Sequence, residues 1–130
     1  MKTFIVALFI FIAVYPTNAQ KATTDSFLLG IWKGTSLCQV HNSPCRDESV
    51  VYYISKVQGT DTFNIAANKI VDGQEEEMGV IGCKWDRGNN RLRSTSFNGL
   101  WTFNFKNNNL DGTLYYKGNL YRIIKLTKQK

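Results

Sequence analysis

The chain reads as an all-β protein, an eight-stranded antiparallel up-and-down barrel. Three observations predict this. From Leu28 onward no stretch carries convincing helical periodicity. Apolar and aromatic β-formers recur there in short runs, each alternating with polar neighbours. Short links containing Gly, Asn or Asp separate the runs, and these residues accept the left-handed backbone angles that tight turns require. Consecutive antiparallel strands joined this way form a meander, and eight of them close naturally into a barrel.

The strands are expected near 29–38, 49–56, 62–70, 75–85, 91–96, 99–105, 110–116 and 120–127. Alternation then assigns faces. Trp32, Gly34, Ser36 and Cys38 share one side of the first strand, and Ile31, Lys33 and Thr35 the other. Tyr53 in the second strand is placed with the aromatic interior. Phe63, Ile65 and Ala67 form the inner set of the third strand, while Trp101, Phe103 and Phe105 form that of the sixth, set against Leu100, Thr102 and Asn104. For the last strand the turn length decides. A three-residue turn Lys117-Gly118-Asn119 puts Leu120, Arg122, Ile124 and Leu126 inside, and a two-residue turn would exchange the faces. The longer turn is preferred because it buries Leu126 and frees Lys125.

Ahead of the barrel, Lys2, the uncharged run Phe4 to Tyr15 and the small-residue exit Thr17-Asn18-Ala19 have the pattern of a secretory signal, residues 1–19. The apolar run is shorter than the roughly 20 residues of a membrane-spanning helix. Because Gln20 and not cysteine follows the expected cut, no lipid anchor is expected, and the product is expected to be secreted or periplasmic. Residues 20–27 then form a flexible N-terminal segment, and 28–130 one barrel domain of a size that encloses a single core. The net charge of +6 is moderate. Lys84, Arg87, Arg91 and Arg93 lie around one turn, with Glu75 to Glu77 at the hairpin before it. Mixed clusters of this kind suit solvated edges better than a nucleic-acid or membrane-surface patch.

Three cysteines enter an oxidising compartment, so one is left over. Cys38 and Cys45 flank the loop between the first two strands, and their bridge needs no long-range rearrangement. Cys38 with Cys83 is the competing pair; sequence does not settle connectivity, and the Cys38–Cys45 bridge is preferred.

Gly30-Ile31-Trp32 opens the first strand, with the indole inside near the closed end and Gly30 giving the backbone room to bend. Counting antiparallel from Thr127 against Leu29 brings Ile124 near Trp32 and Arg122 one inward step away. A guanidinium that close to an indole gains about 1–2 kcal/mol of cation–π attraction when partly desolvated. With Gly-x-Trp at one end and the inward arginine of Leu120-Tyr121-Arg122-Ile123-Ile124 at the other, the chain resembles the lipocalin and fatty-acid-binding protein (calycin) superfamily. Gly-x-Trp also opens avidin-like barrels and bacterial periplasmic protease inhibitors. Unlike the calycins, the chain has no helical lid, long first loop or C-terminal helix. The resemblance therefore implies a small, shallow or partly filled barrel that carries an apolar or amphipathic ligand.

The candidate ligand-contacting residues are Trp32, Tyr53, Phe63, Trp101, Phe103 and Arg122, positions that in a barrel serve as core and as pocket wall alike. Arg122 is expected either to meet an acidic head group or to plug the floor. No metal, cofactor or enzymatic centre is expected. His41-Asn42-Ser43-Pro44-Cys45 sits on a turn-rich loop with Cys38 close enough to capture the thiol, and one His with three irregularly spaced Cys lacks zinc spacing. No nucleic-acid partner is expected. Stable membrane insertion is not expected either, since Lys33, Asn64, Asn104 and Lys125 would face lipid, at about 2–4 kcal/mol for each mid-membrane charge. The rival reading is a protein-binding module, such as a protease inhibitor, that inserts residues 20–26 into a partner.

Overall fold

The computed structural model describes Tyr15 and residues 25–130. The expected signal segment 1–19, Tyr15 apart, lies outside the described residues, as do residues 20–24 of the expected flexible segment. Eight strands follow in chain order: β1 (Gly30–Cys38), β2 (Glu48–Lys56), β3 (Thr62–Val71), β4 (Gln74–Asp86), β5 (Arg91–Ser94), β6 (Gly99–Lys106), β7 (Asn109–Tyr116) and β8 (Asn119–Lys128). Each pairs antiparallel with the next and β8 returns to β1, so the sheet is a closed up-and-down barrel. Every strand expected from the alternation is present, with ends displaced by at most two residues.

Tight turns drive the meander. Asp72-Gly73, Asn107-Asn108 and Lys117-Gly118 all have positive φ at both central positions, the two-residue hairpin geometry whose twist matches the flanking strands. The last connection is thus a two-residue turn and not the three-residue turn expected. Taken alone it would turn β8 inside out. A bulge prevents this: pairing passes from Leu114 with Arg122 to Tyr115 with Leu120, leaving Tyr121 unpaired. Arg122, Ile124 and Leu126 consequently face inward and Lys125 outward, as the burial of Leu126 demands. A second bulge, between Ala67 with Gly79 and Asn68 with Glu77, leaves Met78 unpaired in β4. Between β5 and β6 the chain makes a one-turn 3₁₀ helix, Ser96–Asn98, in which Phe97 and Asn98 are left-handed.

The closed end is packed solid. Trp32, Phe63, Ile65, Leu92, Phe103, Leu110 and Ile124 are all fully buried. Another one-turn 3₁₀ helix, Ser26–Leu28, plugs the opening beneath them. Leu28 is fully buried, its carbonyl accepts a 2.9 Å hydrogen bond from the Trp32 indole, and the Phe27 ring lies 4.4 Å from that of Phe105. Asp25 and Phe27 pack with this floor. Asp25 is buried, with Lys56 at 3.2 Å and Arg87 at 3.5 Å from its Oδ2.

The register of ring closure departs from expectation. Trp32 pairs with Lys128 and Cys38 with Arg122, four residues away from the alignment that starts at Thr127 against Leu29. The reason is steric: Gly34 lies so close under β8 that a Cβ there would collide with the Lys125 carbonyl, and the pair Gly34 with Leu126 fixes the seam. Arg122 therefore sits at the open end, and the cation over the Trp32 ring is Lys128, whose Nζ lies 6.0 Å from the centroid.

Candidate functional site

Above the packed floor the barrel opens into a cavity of about 190 Å³. Its two sides differ in chemistry. Ser36 of β1, Glu48 of β2 and Arg122 of β8 line one, because the β1–β2 and β1–β8 registers bring these three positions together. Met78, Gly79, Phe97, Trp101 and Leu114 supply apolar lining, and Tyr52 and Ile81 complete it. Both bulges belong to this rim, Met78 lining the cavity and Tyr121 an adjoining cleft. This is the position that bulges favour in barrels, where they bend a strand and re-aim its side chains.

The polar side is a small network. Arg122 Nη1 donates to the Ser36 carbonyl at 3.2 Å and to its hydroxyl at 3.1 Å, while Nη2 lies 3.4 Å from Glu48 Oε1. Both side chains of the ion pair are mostly buried, with 12% and 20% of their surface exposed. Beside them Tyr52 is buried, which pushes its hydroxyl well above the ordinary phenolic range; the charge of Glu48 adds to the rise and that of Arg122 opposes it. Tyr52 therefore stands at the cavity as a neutral hydroxyl.

The Cys38–Cys45 disulfide frames the same wall, since Cys38 is the β1 partner of Arg122. Asp47 Oδ1 accepts from the Cys38 amide at 2.8 Å, and the Gln39 amide donates to the Tyr121 carbonyl at 2.9 Å, pinning the loop to β8. Cys83 is the free cysteine, buried opposite Phe63, and burial pushes its thiol up to about 12. With Cys45 oxidised, the His41 and Cys45 pair has no thiol, and His41 is exposed. Among the described residues no cluster of three His, Cys, Asp or Glu side chains is placed to hold a metal.

On the opposite side Trp101 is anchored by its indole N–H, which donates to the Ser96 carbonyl at 2.9 Å, and it stacks on Phe103 at 6.3 Å. Phe97 is 62% exposed with φ 58°, and its ring covers Gly79 so closely that a Cβ there would lie 2.9 Å from Cζ. Since φ at Gly79 is +149°, glycine fits the seat and a side chain does not. Phe97, Trp101 and Leu114 also border the neighbouring cleft of about 330 Å³ that runs out over Tyr116 and Tyr121.

Of the six residues expected to meet a ligand, Trp101 and Arg122 line the cavity, while Trp32, Phe63 and Phe103 are sealed in the core. Tyr53 is corrected: it faces outward, where its hydroxyl donates to the Glu75 carboxylate at 2.8 Å and 3.0 Å. Tyr52 is the inward tyrosine, and Val50 with Ile54 on the same parity was the available signal. Glu48 and Ser36 were missed as a pair because only the register shows that they meet Arg122. No protein-family model matches the chain, and neither a curated protein nor a solved structure matches it.

Proposed function

We propose that this protein is an exported, calycin-like binder of one small apolar or amphipathic molecule, taken up in the barrel mouth. The observation that carries the reading is a cavity of about 190 Å³ whose apolar lining faces a mostly buried guanidinium. Concave apolar sites with a few convergent polar groups are the usual form of small-ligand pockets. Volume limits the ligand. A 150 Å³ apolar cavity holds roughly one benzene, so this one takes a head group or a ring, and a longer tail must run outward over Tyr116 and Tyr121.

The signal-like N-terminus and the disulfide support export. Lys33, Asn104 and Lys125 on the outer face favour a water-exposed carrier over a barrel inserted in lipid. Binding is favoured over catalysis because the one histidine is exposed and remote in kind from any activated nucleophile.

A panel of short-chain amphiphiles and small aromatic compounds, followed through tryptophan emission and calorimetry, tests the reading. Saturable binding of at least one class with Kd in the micromolar range, about −8 kcal/mol, is expected. Absence of binding by every compound, with the fold intact by circular dichroism, refutes it.

A further inference from the structure

Resting on that reading, we infer that the mouth selects an uncharged head group carrying a donor beside an acceptor, the pattern of a primary carboxamide, over a carboxylate. The inference comes from Glu48. An isolated arginine would call for an anion, but this guanidinium already faces a carboxylate across 3.4 Å, so the wall as a whole is neutral. Nη1 is engaged by Ser36 on both its carbonyl and its hydroxyl. Nη2 meets Glu48 as an ion contact, without a hydrogen bond among the described residues, which leaves N–H on one side and carboxylate oxygen on the other for a guest.

A carboxamide answers both. Its oxygen accepts from Nη2 and its N–H donates to Glu48, so each mostly buried charge gains a charge-assisted hydrogen bond without a new net charge. A carboxylate satisfies Arg122 but places two like charges against one wall, and an ammonium does the reverse. Juxtaposed like charges are a strong means of rejecting a ligand. The Tyr52 hydroxyl, neutral beside the pair, is a further donor for the amide oxygen.

Calorimetric titration of the mature, disulfide-intact protein with octanamide, octanoate and octylammonium at pH 7.5 tests this, since the three share one tail. Octanamide is expected to bind wild-type protein on the order of tenfold more tightly than either ion, and Glu48→Gln to raise octanoate affinity by about tenfold. Tighter binding of octanoate or octylammonium by wild type, or an unchanged amide-to-carboxylate ratio in Glu48→Gln, overturns the inference while leaving a ligand-binding barrel in place. If none of the three binds wild type or variant, and thermal melts show both folded, the inference falls. If the wider amphiphile panel fails as well, the binding reading falls with it.

Discussion

Lys56 holds Asp25 at 3.2 Å, tying the segment before the barrel to the end of β2 and so fixing the plug beneath the floor. Burial alone would raise the Asp25 carboxyl. The hydrogen bond and charge of Lys56, the backbone hydrogen bond and Arg87 outweigh it, and the group is held below the usual carboxylate value.

The sign of the linkage follows. A carboxyl depressed by folding contributes stability that is fully present above its unfolded value, near 3.8, and is lost as pH falls through the folded value. Asp25→Asn should cost about 1–3 kcal/mol at pH 7, the range for leaving a mostly buried partner unmatched. Relative to wild type, it should lose less stability between pH 4 and pH 2. Urea denaturation at several pH values measures both.

Gly34→Ala should damage the seam. Its Cβ would meet the Lys125 carbonyl, a backbone atom that cannot swing away, so β1 and β8 must part. A loss of at least about 1–3 kcal/mol is expected from overpacking. Thermal melts test the size, and amide exchange in β8 tests the location.

The staple and the free thiol should behave oppositely. Reducing Cys38–Cys45, or replacing both with Ser, opens a short loop and should cost about 2 kcal/mol. Cys83, with its thiol pushed up to about 12, should resist an aromatic disulfide reagent at pH 8 until the protein unfolds. Labelling of Cys83 in the native state would contradict its burial.

Phe97 combines exposure with a left-handed backbone, a conformation that costs roughly 1 kcal/mol for a residue with a side chain. Phe97→Gly should therefore leave stability within about 1 kcal/mol of wild type, while uncovering Gly79 and speeding ligand exchange. Stopped-flow mixing with a fluorescent amphiphile reads the rates.

The meander was legible because turn chemistry and alternation are local: Asp72-Gly73 and Trp101-Thr102-Phe103 announce themselves within a few residues. The seam was not. Whether Trp32 faces Ile124 or Lys128 depends on how closely β8 crosses Gly34, which no window of sequence contains. Bulges raised the same difficulty. Tyr121 and Met78 each add a residue that the partner strand does not match, and the correct facing of Arg122 came from a wrong turn length offset by an unseen bulge. Tyr52 and Tyr53 are adjacent and identical, so parity had to be drawn from Val50 and Ile54. The site suffered most, since Ser36, Glu48 and Arg122 come from three strands and meet only through closure.

Closure has a consequence for biogenesis. The first strand finds its second neighbour in the last one, so a chain emerging from the ribosome has two bare edges until its final residues are released. Contacts of such high sequence separation fold slowly. The finished seam then withdraws the borders of β1 and β8 as templates for a second chain, whereas β4, laddered to β5 only from Lys84 to Asp86, keeps its earlier residues open on that side.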